Sequence, residues 1–263
     1  MLNEITFRFG IFLLIFLLVL GLEALFPKRK LGQKRIGRWI TNWSLSIINT
    51  IGLRIISLII PFAATAAAYD ASINRLGLFN NISLPFWSEL LITIVILDFV
   101  IWFQHFVTHK IPFLWKFHQI HHSDRDMDIT TAIRFHPFEI LFSMGIKILA
   151  VYILGPVVIA VILFEVILNA SAILNHANFA IPKPIDKALR LIVVTPDMHR
   201  IHHSRVHKEH NTNFGFALSV WDRIFNTYKN EPDGGQSEMQ VGLNWKDDKP
   251  TKLSWALLLP FRN

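Results

Sequence analysis

The chain contains no cysteine. That excludes a disulfide framework, a thiolate metal site and a cysteine nucleophile, and leaves the redox compartment open. Charge is also scarce. Asp, Glu, Lys and Arg make up 17% of the 263 residues, against about 25% in a typical soluble domain. There is no glycine-rich phosphate loop, no internal repeat and no low-complexity tract. What fills the chain is apolar: 52% hydrophobic residues, 22 of them Phe, and a mean hydropathy of +0.40. This composition excludes intrinsic disorder and argues against a soluble domain. The formal charge of +7 suits nucleic acid or an anionic lipid surface, and the placement of the charges decides between them.

Residues 5–26 form a run long enough to cross a bilayer, which takes about 20 apolar residues. A signal peptide is the competing reading, but Pro27 and a basic stretch follow instead of a small-residue cleavage site. Lys28, Arg29, Lys30, Lys34, Arg35 and Arg38 stand together with no acid among them. Directly after an apolar span, such a cluster reads as a positive-inside cytoplasmic loop rather than a nucleic-acid patch. A second span is expected over roughly 40–69, with Trp39 and Trp43 at its entry and Arg54 inside it. Residues 70–85 read as an external loop, and a third span over about 86–108 returns to the cytoplasm. From Phe138 to Asn175 runs an apolar block interrupted by Gly155-Pro156. As one helix it would rise about 57 Å against a hydrocarbon core of about 30 Å. A helical hairpin turning at Gly155-Pro156 fits better. Within it, Lys147 and Glu165 fall at similar depth and are expected to pair. Residues 183–195 and 252–261 read as amphipathic pieces on the membrane surface.

All 12 histidines lie between His105 and His210. His105 and His109 are an i, i+4 pair. His118, His121 and His122, and again His199, His202 and His203, are i, i+3, i+4 triads. Such positions share one helix face, while adjacent histidines diverge by about 100°. A triad can therefore hand imidazoles to two neighbouring metals. Two triads and a pair supply about four ligands to each of two ions, and imidazole suits Fe, Zn, Cu and Ni. A closed structural zinc site needs only four ligands in all.

Around these histidines the sequence resembles the fatty acid hydroxylase / sterol desaturase superfamily. The likeness rests on HxxxH at 105–109, HxxHH at 118–122 and 199–203, Phe117 to Ser123, Asn175-His176, Thr195-Pro196 before His199, Asn213-Phe214-Gly215, and Trp221 to Tyr228. It runs from about Asp98 to Tyr228. The resemblance implies a membrane-bound, non-haem di-iron oxygenase that uses O2 and external electrons to hydroxylate or desaturate a lipid or sterol-like substrate. Hydroxylation is preferred, with the text closer to the sterol-desaturase and ether-lipid monooxygenase branch. It implies two iron ions, replaceable by zinc in preparations, and a separate electron-donor protein. No haem-binding histidines are left over for an appended donor domain.

The expected metal ligands are His105, His109, His118, His121, His122, His199, His202 and His203. His176, at the end of the hairpin, and His136, in the segment leading into it, are added to them. His136 has a helix-capping role as its alternative. His207 and His210 are read as solvated or supporting. No catalytic group is expected beyond the ligands. Asp98, seven residues before His105, Asp197, two before His199, and Asn175 are expected to orient imidazoles. Trp221 and Asp222 read as structural. The expected fold is all-α and multi-pass, three spans plus the broken hairpin, with a cytoplasmic His-rich cap. Its regions are 1–85 (membrane helices and basic loop), 86–230 (catalytic) and 231–263 (tail). No nucleic-acid partner is expected. The membrane is the inner membrane in a bacterium or the endoplasmic reticulum in a eukaryote. A His-rich metal transporter or sensor is the alternative; it would place its ligands at mid-span rather than at span ends.

Overall fold

Four helices are long and apolar enough to cross a membrane: Thr6–Leu25 within α1 (Leu2–Leu25), α4 (Phe86–Lys110), α6 (Pro137–Leu154) and α7 (Val158–His176). α2 (Arg35–Ser57) and α3 (Ala64–Ile73) fall between the first two, and α5 (Pro112–His122) follows α4. The computed structural model describes residues 2–58, 63–245 and 247–262, and no β-strand occurs among them. Short helices α8 (Lys183–Leu189), α9 (Pro196–His202), α10 (His207–His210), α11 (Val220–Ile224), α12 (Gly235–Glu238) and α13 (Leu253–Leu258) build the rest.

α4 packs against α6 and α7, α1 lies along α7, and α3 closes on α6 and α7. Ala64, Ala67, Ala68, Leu97, Ile101, Val151, Val161 and Phe164 form the shared core. The small residues of α3 let its backbone approach its neighbours closely, as in membrane helix packing. The outward faces are apolar as well: Leu14, Leu17 and Leu18 on α1, Leu91 on α4, and Leu149 and Ile153 on α6 are exposed. Water does not tolerate such a surface at this extent, whereas lipid does.

The hairpin turns where expected. Gly155 ends α6 in the left-handed region, φ 63°. It meets Gly77 (φ 87°) so closely that a Cβ on Gly77 would stand 2.3 Å from the Gly155 nitrogen. The Asn80 amide donates to the carbonyls of Leu76 and Gly155, and the Glu89 carboxylate accepts from Val157 N–H at 2.8 Å. These contacts close the end of the bundle opposite the histidines. Inside the hairpin Lys147 Nζ reaches Glu165 at 2.8 Å, and Arg8 of α1 pairs with the other carboxylate oxygen. Glu165 thus serves two cations, one more than the sequence pattern implied.

The single span expected over 40–69 is not what forms. α2 stops at Ser57, residues 59–62 lie outside the described ones, and a separate helix starts at Ala64. α2 is amphipathic in the inverted sense. Arg38, Thr41, Asn42 and Asn49 are buried, while Ile36, Ile40, Ile47, Ile51 and Ile55 are exposed. Arg54 is also exposed. The polar face turns inward because a loop rich in acids and hydroxyls lies against it. Arg38 bridges Asp124 and Asp128, and Asn42 donates to Thr130. Of the expected surface pieces, α8 leaves Ile185 and Leu189 exposed, with Leu191 and Ile192 just beyond it. α13 instead buries Trp255 and Ala256 against Leu45 and Ile120.

Candidate metal centre

Two helices that carry histidine triads start in the same way. Ile111-Pro112 opens α5 and Thr195-Pro196 opens α9, each with proline in the first turn. Proline costs nothing there, because its missing N–H would have no intrahelical partner. Thr195 adds a cap by accepting from Met198 N–H at 3.3 Å. α4 delivers His105 and His109 in its last two turns, and α7 ends on His176.

These elements bring nine imidazoles together in two groups. His105, His109, His118, His122 and His202 form one; His121, His176, His199 and His203 form the other. Within each group the ring nitrogens lie within 4.8 Å of one another. Adjacent histidines part company as the helical geometry requires: His121 from His122, and His202 from His203. All are buried except His109, which is half-buried.

The Nε2–Nε2 separations are short. They are 3.1 Å for His105–His118, 3.2 Å for His118–His122, 3.0 Å for His121–His176, 3.1 Å for His176–His199 and 3.2 Å for His176–His203. Ligands about 2.0–2.1 Å from a common ion stand about 3.0–3.4 Å apart in octahedral or tetrahedral arrangement, so these spacings fit shared coordination. The outer nitrogens say which tautomer is present. His105 Nδ1–H donates to the Phe214 carbonyl at 2.7 Å, His202 to Thr212 at 2.8 Å and His176 to Ala172 at 2.6 Å. His121 reaches the Arg134 carbonyl at 3.3 Å. A carbonyl only accepts, so each Nδ1 carries the proton and each Nε2 offers its lone pair inward. Both ring nitrogens of His109, His202 Nε2, and Nδ1 of His122 and His199 are buried with no hydrogen-bond partner. A metal would satisfy His202 Nε2 and one nitrogen of His109, whereas Nδ1 of His122 and His199 lies on the far side of rings whose Nε2 faces the group. Burial first, and neighbouring imidazoles second, hold His121, His122, His199, His202 and His203 well below the ordinary imidazole range. The rings are neutral, as ligation requires.

His136 is not brought to either group. It caps α6 by accepting at Nδ1 from Phe138 N–H, and its Nε2 faces the Leu257 carbonyl at 3.3 Å. Pro137 commits position 136 to the capping conformation and turns the ring away. The residues expected to orient imidazoles act elsewhere. Asp98 accepts from Ala217 and Leu218 N–H and from Trp221 Nε1. Asp197 pairs with Lys28 at 2.6 Å and with Arg200. Asn175 donates to the Phe216 carbonyl at 2.6 Å. None of the three touches an imidazole: Asp98 and Asn175 fasten backbone, Asp98 also takes the Trp221 indole, and Asp197 holds two cationic side chains. His207 is exposed, and His210 stacks on Trp115 at a centroid distance of 5.4 Å.

The carboxylate that does touch a ring is Glu139, which accepts from His118 Nδ1–H at 2.5 Å. The sequence reading missed it; an acid in the turn after His136-Pro137 was its one signal. Asp222 acts one step removed. It accepts from Phe214 and Gly215 N–H at 2.8 and 2.9 Å and from Trp102 Nε1. This holds the Phe214 carbonyl on His105. Arg134 anchors the end of α5, donating to the Ile120 carbonyl, Ser123 Oγ and Asn42 Oδ1.

A cavity of about 280 Å³ reaches this site from the bundle. Asn49 of α2, Ile101 and Gln104 of α4, Ile140 and Ser143 of α6 and Leu168 of α7 wall it. It ends on His105, His118 and Glu139 at one side and on Lys147 at the other. From Glu139 to Lys147 is about 12 Å along the helix axis.

This architecture, a buried double cluster of imidazoles at one end of membrane-length helices, agrees with sequence comparison. The chain belongs to the fatty acid hydroxylase family, whose family model matches residues 90–227. It is an integral membrane protein with a metal centre. Among its relatives is the ornithine lipid hydroxylase OlsE of Rhizobium tropici, 28% identical over 83% of this chain and 66% of that protein. Others are the alkylglycerol monooxygenase of Homo sapiens, 30% identical over 51% of this chain and 29% of that one, and the fatty acid hydroxylase vlmA of a Lecanicillium species, 25% identical over 76% and 56%. The chain covers less than two thirds of the length of each. No solved structure matches it.

Proposed function

We propose that this chain is a di-iron lipid hydroxylase, inserting one oxygen atom from O2 into a C–H bond of a bilayer lipid. The observation that carries the reading is a pair of adjoining imidazole groups, one of which opens through His105 and His118 onto a cavity that runs among membrane-length helices. An unactivated C–H bond needs a metal-based oxidant, since side chains alone offer none. The names of the relatives, ornithine lipid hydroxylase and alkylglycerol monooxygenase, support a polar lipid as substrate and hydroxylation over desaturation.

The ligand set is His105, His109, His118, His122 and His202 for one ion and His121, His176, His199 and His203 for the other. Bound there, an iron pair supplies the O2-activating chemistry. The protein's own contribution is threefold. Backbone carbonyls and Glu139 fix the ring tautomers. Burial favours the neutral form of His121, His122, His199, His202 and His203. The cavity wall holds an acyl or alkyl chain with its reacting carbon near His105 and His118. The overall balance consumes O2, two electrons and two protons, and yields the alcohol and water. The electrons come from a separate donor protein at the His-rich face, and the basic loop 28–38 supports a cytoplasmic location for that face.

Protein purified without chelator should carry about two metal ions per chain, with zinc displacing iron on overexpression because it binds more tightly. Lipid mass spectrometry of cells with and without the protein should reveal a lipid gaining one oxygen, dependent on O2 and reductant. One ion per chain at full activity, or no oxygenated lipid, sinks the proposal. Because the chain lacks cysteine, Gln33→Cys and Lys208→Cys should label from the cytoplasmic side and Asn80→Cys from the opposite side.

A further inference from the structure

A second cavity, of about 400 Å³, lies on the His-rich side and shares no lining residue with the one at the metal centre. Arg29, Lys30, Arg125, Arg200 and Arg205 line it, with Asp126 as its one acid. Asp126 is already engaged by Gly32 and Gln33 N–H. Asp197, outside the lining, pairs with Arg200 and Lys28. Arg125 donates to the Asp247 carbonyl at 3.1 Å, and its carboxylate partner is the exposed Asp248 at 3.8 Å. Positive charge is therefore in excess around the cavity.

The guanidiniums are also incompletely bonded. Arg29 Nη1, Arg200 Nε and Arg205 Nε are buried without hydrogen-bond partners, and Arg200 is 1% exposed. Arg29 spends Nη2 on the Met239 carbonyl, Arg205 spends Nη1 on Gln240 Oε1 at 2.5 Å, and Arg200 spends Nη2 on the Ala177 carbonyl at 3.2 Å. Leaving a buried charged donor unpaired is costly. Burial and the nearby Arg200 hold the Arg29 guanidinium below its ordinary range. Four arginines from three segments, three of them with a buried donor unpaired, match a compact anion bearing several acceptor oxygens. The volume suits a small ligand rather than a single halide.

We infer that this cavity is a binding site for a phosphate group, separate from the metal centre. The phosphate belongs either to a soluble phosphorylated molecule or to a phosphomonoester lipid headgroup, and the chemistry of recognition is the same. Arg200 lies between His199 and His202, so an occupant braces the helix that presents the last histidine triad.

The test uses the full metal-loaded chain in phosphatidylcholine nanodiscs, titrated with inorganic phosphate at constant ionic strength against chloride. Saturable binding is expected, weakened about tenfold or more in Arg29→Gln and in Arg205→Gln, since each removes a charge-assisted contact. Metal content should stay at the wild-type level. If either variant fails to fold, Arg125→Gln, at the open side of the cavity, carries the same reading. Repeating the titration in discs containing phosphatidic acid separates the sources. Unchanged affinity means a soluble ligand, and loss of phosphate uptake means that the lipid headgroup already fills the site. No saturation beyond chloride, or equal affinity in the wild type and the variants, overturns the inference.

Discussion

The two imidazole groups are built from the same motifs and yet sit in different surroundings. The five-membered group has the cavity in front of it, through His105 and His118, and a carboxylate behind it, Glu139 on His118. The four-membered group centres on His176, whose Nε2 lies 3.0–3.2 Å from those of His121, His199 and His203. None of its rings touches a carboxylate or lines the cavity. The difference assigns labour. One group faces the cavity and has a carboxylate on one of its rings. The other is enclosed by protein, with His121 and His176 resting on backbone carbonyls.

Breaking the groups one at a time gives the largest effects. His118→Ala and His176→Ala should each abolish hydroxylation and lower metal content from about two ions per chain to about one, because each group loses a central donor. Metal analysis with activity on the same sample checks this. Retention of both ions in either variant would show that the groups are not independent.

Acid should act on both groups at once. His121, His122, His199, His202 and His203 are held well below the 6.5 of a free imidazole. As pH falls through about 6.5 the unfolded chain takes up these protons before the folded one does. Stability contributed by the neutral rings is complete above that pH and lost below it. Thermal midpoints of the metal-free protein should therefore fall between about pH 7.5 and 5.5, and metal should leave in the same window. A flat profile would mean that the rings are not buried and neutral.

A smaller effect sharpens the asymmetry. Glu139→Gln keeps an acceptor for His118 Nδ1–H but removes the charge, and should weaken metal binding about tenfold in the five-membered group alone. Glu139→Ala should approach about a hundredfold. Equal loss from both groups would contradict the division of labour.

The smallest is His136→Ala. It should leave both ions in place and cost about 1 kcal/mol through the lost helix cap. Loss of an ion would return His136 to the ligand set.

The histidine boxes were legible because i, i+3, i+4 spacing carries its own geometry. The split of His121 from His122 and of His202 from His203 follows from helical rotation alone. The grouping of five with four did not follow. It depends on where α7 ends relative to α5 and α9, which is tertiary. Glu139 stayed hidden for the same reason: it is 21 residues from His118 in sequence. Asp98 shows the opposite failure. It shares the His105 helix, but its carboxylate leans toward the 217–221 segment. The turn at Gly155-Pro156 was readable from the two residues that make it. The span at 40–69 was misread because hydropathy counts apolar residues without asking which way they face. In α2 most of them face outward, and the buried side is Arg38, Thr41, Asn42, Leu45 and Asn49.

The ion pair between Arg8 and Glu165 joins residues 157 positions apart. When the chain is made from its amino end, α1 meets the bilayer long before α7 exists. Arg8 also has a local counter-charge one turn away in Glu4, at 3.1 Å in the folded chain, which needs no later segment to form. The local pair lowers the cost of placing the first helix near lipid. The distant pair, completed only when the hairpin arrives, converts a loosely held first helix into a fixed wall.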